Sequence, residues 1–570
     1  MPERTPTMFA SRAFGLSGVR VKAHALRAIS ASGVLALSLC AMDVHAQSFK
    51  VQCPAGTKLH PAIAANDSSV SVSDRSKYGT ETLPLPRTDG LLNPTPAMAN
   101  PGIKCQQISG GDGFATMGDG TQTYLFAFGP LSGLKNIVNG QPGTVTASEF
   151  LQSNLDSGGN VLDAVKIGAP DGTAYPFNGA IGLVPDTQAV DGVVGSELTG
   201  HVDPRLIMDV GVLNGNIPAP MIAIDEGDEL FLTLTNVGQV MRPDLFEQHT
   251  VHFHGYPNAS AFYDGVPDAS VAINVGGSFT YYYLAPEPGT YMWHCHISPP
   301  EHLQMGMVGQ IYVRPRQNAV AASASLSTAP TGPAYPNAAC GSNDILCSAQ
   351  APAGGTYGTR ANDKAGRPTF YAYNDGDGST AYDVEYPIQM MGFDPNFHFV
   401  GMTFNPESFA DNKDKYFLLN GRSYPDTINP VPLSTQASDG TPHFAQPLPT
   451  LINIPAGGKA LLRISDLNVT EYHTLQSLGI PMHVVGYNAR LLRDMDGHNT
   501  DYYTNSISLA GGESVDVILD ATGLTAGQTF YLYTTQLDHL SNDAENFGGM
   551  MTEVKICSQV RPVTKACINN

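Results

Sequence analysis

Six of the sixteen histidines fall within a stretch of 54 residues, and one cysteine lies among them. The stretch contains the strings His249-Thr-Val-His252-Phe-His254-Gly255 and His294-Cys295-His296, followed by His302 and Met307. Side chains two residues apart on a strand point to the same face. The spacing therefore predicts two His-x-His pairs that converge on one side of a sheet, while the cysteine between the second pair faces the core.

These residue types predict a transition-metal site. Imidazole binds copper, iron and zinc, whereas two histidines with one thiolate and a distant thioether form the ligand set of a blue, or type 1, copper. His249, Cys295 and His302 supply that set, with Met307 as the axial ligand and Met305 as the other thioether close by in the chain. Zinc is the alternative metal.

The other cysteines leave Cys295 without a partner. The chain has eight cysteines, of which Cys40 lies in the N-terminal segment described next. A thiol in an exported protein is reactive unless something occupies it, so we expect Cys295 to hold a metal rather than to be an inert buried residue. We expect the remaining six to form disulfides between sequence neighbours, namely Cys53/Cys105, Cys340/Cys347 and Cys557/Cys567.

The N-terminus has the pattern of a secretory signal. Basic residues precede an apolar run at 29–42, which is followed by Val44-His45-Ala46. We therefore expect cleavage near Ala46 and a secreted or periplasmic protein. The run is too short to span a bilayer, and no later stretch is apolar for long enough, so we expect no stable membrane insertion.

The composition predicts an all-β protein. With 570 residues, 42% hydrophobic and 14% charged, the chain can fill the cores of two or three domains. Its 59 glycines and 42 prolines favour turns and short strands over long helices. Its net charge of −21 repels phosphate backbones, which argues against a nucleic-acid partner.

An internal repeat divides the chain. Leu213-Asn214-Gly215 recurs as Leu419-Asn420-Gly421, and each copy precedes a short strand, a glycine turn and an alternating strand. We expect two homologous Greek-key β-sandwiches, and the glycine-rich segment 110–120 is expected to be a plain loop. The predicted organisation is a signal peptide (1–46), an N-terminal extension (47–120), a first sandwich (121–314) with an insertion at about 130–200, a linker (315–369), a second sandwich (370–558) and a tail (559–570).

The histidine strings resemble the copper signatures of the multicopper oxidases, a family of the cupredoxin superfamily. The family pattern is His-x-x-His-x-His-Gly, then His-Cys-His, then His-x-x-x-Gly-Met. The chain matches it at 249–255, at 294–296 and at 302–307, with two additional residues, including a Pro-Pro step, between the cysteine and His302. The resemblance extends over about 120–556 and implies two cupredoxin-like domains, copper as the cofactor and an oxidoreductase.

The resemblance also implies a role for each ligand. The type 1 copper on Cys295 would accept electrons from a small reductant, a phenolic compound or a metal ion, which the sequence does not specify. His252 matches the type 2 position of the trinuclear cluster that reduces dioxygen to water. The type 3 positions of that cluster are matched by His254, His294 and His296.

The second half of the chain lacks the corresponding ligands. Aligned through the repeat, Ile480–Gly486 matches 249–255, and Thr534-Thr535-Gln536 replaces His-Cys-His. We therefore expect a copper-free second domain in which three histidines are ordinary polar residues, namely His473, His483 and His539. The missing half of the cluster would come from a homo-oligomer or from a partner subunit.

Two other functions fit parts of the pattern. A single type 1 copper electron carrier, or a copper-binding protein, needs only the type 1 set, which is complete within the chain. Copper nitrite reductases also place type 1 copper in the first of two cupredoxin domains. They carry an aspartate in the slot of His252, lack a counterpart of His296 and take a histidine from the second domain near Gln536, so the oxidase is the main prediction.

Overall fold

The computed structural model describes residues 103–130, 215–319 and 370–568, apart from short gaps, and a few isolated positions. The gaps are 240, 243–245, 256–259, 399–408, 432, 437–441 and 562–564, and the isolated positions are 57, 59, 355, 356, 359 and 360. Contacts divide the chain into two compact units, 1–46 and 47–570, and the described residues belong to the second. The predicted signal peptide, nearly all of the insertion, most of the linker and the Cys53/Cys105 and Cys340/Cys347 pairs lie outside the described residues.

Eight strands form the first sandwich: β1 (Ile103–Thr116), β2 (Gln122–Pro130), β3 (Ile222–Asp225), β4 (Glu229–Gly238), β5 (His252–His254), β6 (Ser278–Leu284), β7 (Gly289–His294) and β8 (Val308–Arg314). One sheet has the order β2-β1-β4-β6 and the other β3-β8-β7-β5. Since β1 pairs with both β2 and β4, the sandwich begins at Ile103, before the expected boundary at residue 121. The prediction of a loop at 110–120 is wrong for residues 110–116, which lie in β1.

Alternation along the strands fills the core of this sandwich. Leu230, Leu232 and Leu234 of β4 point inward together because side chains two apart share a face. They belong to the same apolar cluster as Tyr281 of β6 and Trp293 of β7. The strand that ends at the predicted metal ligands is therefore anchored by the largest side chain in the core.

The second sandwich and its connections contain the other strands that the structure describes: β9 (Gly355–Thr356), β10 (Thr359–Arg360), β11 (Phe370–Tyr371), β12 (Ala381–Tyr382), β13 (Val384–Phe393), β14 (Tyr416–Leu419), β15 (Leu433–Gln436), β16 (Pro442–Gln446), β17 (Ile452–Pro455), β18 (Lys459–Asp466), β19 (His473–Leu478), β20 (Met482–Tyr487), β21 (Arg490–Leu491), β22 (Tyr502–Thr504), β23 (Ser506–Leu509), β24 (Glu513–Asp520), β25 (Thr529–Tyr533), β26 (Met551–Cys557), β27 (Gln559–Val560) and β28 (Cys567–Ile568). The two main sheets have the orders β14-β13-β18-β24-β20-β21, with β22 on β20, and β17-β26-β25-β19-β23.

The pairing pattern confirms the internal repeat and corrects its alignment. The strands β13, β14, β17, β18, β19, β24, β25 and β26 pair with one another as β1 to β8 do. The second sandwich has four additional strands, β20 to β23, between the counterparts of β5 and β6. The expected match of 480–486 to 249–255 is wrong, because β20 pairs with β24 in the opposite sheet and β19 is the counterpart of β5. The prediction of an all-β, two-sandwich fold is confirmed.

One short α-helix, α1 (Pro299–Gln304), lies wholly within the described part of the chain, and residues 395–398 are also helical up to the gap at 399. Its first two residues are prolines, which suit a helix start because the first helical N–H groups have no intrahelical acceptor. Single 3-10 turns lie at Ala261–Tyr263, Arg316–Ala319, Phe409–Asp411 and Asp426–Ile428. None of the described helices has the length and apolar character to cross a membrane.

The predicted pair Cys557/Cys567 forms a disulfide.

A buried ionic network joins the two sandwiches. The Glu385 carboxylate of the second sandwich lies 3.2 Å from Arg314 Nε of the first and 2.9 Å from Arg463 Nε. Arg463 also lies 3.7 Å from Asp516, which accepts a hydrogen bond of 2.5 Å from Thr290 of the first sandwich. Burial raises the pKa of Glu385, but the two guanidinium groups outweigh burial and lower it below its ordinary value.

Glu385→Gln should destabilise the protein strongly, because it leaves two buried guanidinium groups without their shared carboxylate. We expect a loss of roughly 3–5 kcal/mol in the free energy of unfolding, measured by urea denaturation. Glu287→Gln is the control, since Glu287 pairs with Arg490 at the surface and should contribute less than about 1 kcal/mol. Equal losses in the two variants would show that the network does not hold the sandwiches together.

Candidate metal centre

Four segments of the first sandwich bring the first group of predicted ligands together. Cys295 follows β7 directly, and its backbone N–H donates to the Met307 carbonyl at 3.2 Å, just before β8. His302 lies on α1, which spans the turn between those two strands. His249 is held by a β-bridge to Ile273. All four predicted type 1 ligands are fully buried.

Three of these side chains form a compact donor group. The donor atoms of His249, Cys295 and His302 lie within 4.8 Å of one another. The closest contact joins His302 Nδ1 to Cys295 Sγ at 3.2 Å, and the Thr250 N–H donates to the same sulfur at 3.4 Å. Cys295 is the free cysteine of the described residues, as predicted.

Charge and burial set the protonation of this group. Burial raises the pKa of the Cys295 thiol, but the adjacent His302 outweighs burial and lowers it. Burial lowers the pKa of His302, while the Cys295 thiolate and the Glu247 carboxylate raise it to about 9. Burial, followed by the charge of His302, holds the pKa of His249 well below its ordinary value. The neutral form of His249 and the thiolate form of Cys295 are therefore favoured, and these are the forms in which such residues bind metals, whereas His302 must release its proton to do so.

Gly110 leaves the space that His249 and Met307 occupy. A Cβ atom at this position would lie 2.7 Å from His249 Cδ2 and 3.3 Å from Met307 Cε. Both the His249 ring and the end of the Met307 side chain therefore lie against Gly110. Gly110 was expected in a loop, and no local signal marked its role, since Ser109-Gly110-Gly111-Asp112-Gly113 has the composition of a turn.

A second group of histidines lies on the opposite face of β7. Its members are His252, His254 and His294, whose donor atoms lie within 4.8 Å of one another. The Nε2 atoms of His254 and His294 are 2.8 Å apart. Burial, followed by the charges of neighbouring histidines, lowers the pKa of His254 to about 4 and that of His294 to about 3. Both rings are therefore neutral and able to bind a metal.

Backbone carbonyls fix the orientation of these rings. His252 Nδ1 lies 2.7 Å from the Asp264 carbonyl, and His294 Nδ1 lies 2.7 Å from the Cys295 carbonyl. In each ring the other nitrogen, Nε2, is left for a ligand, which is the usual arrangement of metal-binding histidines. The His296 ring stands beside this group, with its centroid 4.9 Å from that of His252 and 5.6 Å from that of His294.

The second sandwich supplies no counterpart of this histidine group. In the first sandwich, the register of β5 and β7 places His252 opposite His294. In the second, the register of the corresponding strands β19 and β25 places Gln476 opposite Tyr533. Gln476, Leu478, Tyr533 and Thr535 therefore replace His252, His254, His294 and His296. The expected match of Thr534-Thr535-Gln536 to His-Cys-His is wrong by one residue, and Tyr533-Thr534-Thr535 is the correct segment. His483 lies elsewhere, 2.8 Å from Asp501.

The buried donor atoms of the first group fit a copper ion. Neither ring nitrogen of His249 has a hydrogen-bond partner, although the residue is fully buried. Unpartnered buried polar atoms are costly unless something else satisfies them. Two imidazoles, a thiolate and a thioether are the donor set that copper takes in electron-transfer sites.

Comparison with known proteins finds a similarity to one family in this region. Residues 200–318, which contain all eight predicted ligands, match the family model described as multicopper oxidase. The chain is 35% identical over 108 residues to laccase abr2 of Aspergillus fumigatus, covering 19% of this chain and 17% of that protein. It is 37% identical over 81 residues to multicopper oxidase MmcO of Mycobacterium tuberculosis, covering 14% of each chain. This part of the chain is similar to a multicopper oxidase domain, and copper is the metal of that family.

The similarity is local at the level of sequence. The chain covers 17% of the length of the Aspergillus relative and 14% of the length of the mycobacterial one. Among solved structures, blue copper oxidase from Nitrosomonas europaea matches with a TM-score of 0.44 and 16% identity, covering 80% of this chain and 86% of that chain.

In the unfolded, unreduced chain without residues 1–46, we expect one titratable thiol. Cys295 is the free cysteine, and we predict that the other six are paired. A chromogenic thiol reagent should therefore find one thiol per chain after unfolding and none before, because Cys295 is fully buried. A count of three would show that one predicted disulfide is open.

Proposed function

We propose that the protein is an exported copper-dependent oxidoreductase that transfers electrons from a small reductant to dioxygen. His249, Cys295, His302 and Met307 would hold a type 1 copper. His252, His254, His294 and His296 would hold copper at a second site, with His252 in the type 2 position and the others in the type 3 positions. Copper supplies one-electron redox chemistry at the first site and dioxygen binding at the second.

The observation that carries this proposal is the direct connection between the two groups. Cys295 and His294 are consecutive residues, and alternation along the strand sends their side chains to opposite faces. The His294 Nδ1–H group donates to the Cys295 carbonyl at 2.7 Å, which adds a hydrogen bond to the covalent path. That bond also aims His294 Nε2 at His254. Electrons that reach the sulfur therefore have a short route to the second group.

Glu247 marks where a reductant approaches. His302 itself is fully buried, but its Nε2 atom lies 3.6 Å from the Glu247 carboxylate, whose side chain is 28% exposed. The hydrogen bond with His302 lowers the pKa of Glu247, although burial opposes this, so the carboxylate is charged at neutral pH. A reductant at this position would be within reach of the buried ring. A phenolic compound or a metal ion fits the proposal.

The second copper group needs ligands from outside the first sandwich. Its counterpart positions in the second sandwich hold no histidine, and His254 faces the turn at Gly512, where a Cβ atom would lie 3.5 Å from the ring. We therefore propose that a second copy of the chain or a partner subunit completes the cluster. Oligomers with more than one copper per chain are expected.

Two alternatives remain testable. A single-copper electron carrier would use the first group alone, and the orientation of His252 and His294 by backbone carbonyls argues against it, because a carrier does not need that second group. A nitrite reductase would need a carboxylate in the slot of His252 and a histidine from the second domain near Gln536. The chain has a histidine in the first place and none in the second.

Cys295→Ser should abolish the intense blue colour expected of the copper-loaded protein. The visible band of a type 1 copper needs the sulfur donor, and serine removes it with little change in volume. Absorption and electron paramagnetic resonance of the copper-loaded variant test this. Met305→Leu is the control, since Met305 is equally buried but lies outside the donor group, and it should stay blue. A blue Cys295→Ser protein would refute the type 1 assignment.

His252→Ala or His296→Ala should stop dioxygen consumption while the blue colour persists. These rings belong to the second group and do not contact the sulfur. The measurements are oxygen uptake with a phenolic reductant, copper atoms per chain and the oligomeric state in solution. His498→Ala is the control, because that ring is exposed and pairs with Asp494. A monomer with one copper per chain, unaffected by either substitution, would favour the electron carrier.

A further inference from the structure

The second sandwich repeats the backbone arrangement that holds the buried donor group of the first sandwich, which consists of His249, Cys295, His302 and Met307. The strand registers that match Gln476 to His252 also match His473 to His249 and Thr534 to Cys295. The Thr535 N–H donates to the Thr474 hydroxyl at 3.2 Å, as the His296 N–H donates to the Thr250 hydroxyl at 2.9 Å.

Backbone hydrogen bonds identify the other two counterparts. The Thr534 N–H donates to the Met550 carbonyl at 3.0 Å, and the Met550 N–H donates to the His539 carbonyl at 3.0 Å. In the first sandwich the same two bonds run from Cys295 to Met307 and from Met307 to His302. His539 and Met550 therefore stand where His302 and Met307 stand in the first group.

The two histidines also face each other as their counterparts do. The ring centroids of His473 and His539 are 5.5 Å apart at an interplanar angle of 82°, compared with 5.4 Å and 65° for His249 and His302. A phenylalanine adjoins the second histidine in both sandwiches, although Phe417 stacks on the His539 ring at 3.9 Å and Phe126 meets the His302 ring edge-on at 5.0 Å.

Each of these rings uses one nitrogen and leaves the other without a partner. His473 Nδ1 lies 3.3 Å from the Asp466 carboxylate, and His539 Nε2 lies 2.8 Å from the Glu471 carboxylate. His473 Nε2 and His539 Nδ1 have no hydrogen-bond partner, although the two residues are 0% and 1% exposed. A carboxylate on one nitrogen and a metal on the other is the common arrangement of metal-binding histidines.

We propose that His473, His539 and Met550 bind a copper ion in a site that has no thiolate. Met550 is fully buried and offers a thioether, and a thioether with two imidazoles selects copper over zinc. Because threonine stands in the position of the cysteine, the bound ion would lack the intense blue band that a copper–thiolate bond gives. This site is separate from the proposed oxidase centres, and the proposal departs from the expectation that His473 and His539 are ordinary polar residues. His483 pairs with Asp501 outside this arrangement, and we still expect it to be an ordinary polar residue.

The number of tightly bound copper ions tests this proposal. Cuprous ion is titrated anaerobically into the protein without residues 1–46, in competition with a chromophoric chelator. His539→Gln should lose one tight site per chain relative to the unchanged protein. His483→Gln is the matched control and should lose none. An unchanged count in folded His539→Gln would overturn the proposal, because two carboxylate–histidine pairs would then serve structure alone.

A gain of colour tests the geometry independently. Cys295→Ser removes the first thiolate, and adding Thr534→Cys to this variant places a thiolate between His473 and His539. Cupric ion should then restore a blue band that Cys295→Ser alone lacks. A folded double variant that binds cupric ion without a blue band would show that the donors are misplaced. If the double variant fails to fold, the number of copper ions bound by His539→Gln decides whether the proposal holds. That measurement does not depend on whether the unchanged protein is blue.

Discussion

The contact between His302 Nδ1 and the Cys295 sulfur is the interaction on which the functional architecture depends. It places a thiolate and an imidazole 3.2 Å apart in a fully buried position, beside a second imidazole whose two nitrogens are unpartnered. The second sandwich helps to hold this contact, although it gives no ligand to it. Gln304, at the end of α1, accepts a hydrogen bond from His398 at 2.8 Å and donates one to Asp414 at 2.9 Å. The position of His302 thus depends on the packing of both sandwiches.

The alternation of a β-strand links the two proposed copper groups. Cys295 must face the core to meet His249 and His302, and this forces the adjacent His294 to the other face. The register of β5 against β7 then puts His252 directly opposite His294. The neutral state of His254 and His294 follows from their burial and from their mutual repulsion. One strand pairing therefore determines the relative placement of both groups.

The ligands of the first sandwich could be predicted from sequence because their spacing is local. His249 to His254 lie on one segment, Cys295 to Met307 on another, and strand periodicity fixes which face each residue takes. The counterparts in the second sandwich could not be aligned from sequence, because β20 to β23 are inserted between β19 and β24 and mimic the expected strand around His483. Gly110 was missed for a related reason. Its role is to leave space for His249, and empty space depends on a tertiary contact that residue types do not reveal.

The second sandwich lacks the histidines of the exposed group but keeps those of the buried group, and burial explains this difference. On the exposed side, Gln476, Leu478 and Thr535 stand where the first sandwich has histidines, and Leu478 is 53% exposed. The absence of a histidine at these positions therefore leaves no buried donor atom without a partner. On the buried side each ring nitrogen that loses its partner costs about 1–3 kcal/mol. His473 and His539 nevertheless remain, each oriented by a carboxylate. Thr534 stands where the first sandwich has Cys295, so the second sandwich lacks the thiolate charge that a blue copper needs. It keeps the two imidazoles and the thioether. A buried pair of oriented imidazoles is stable at this position if a metal ion binds between them.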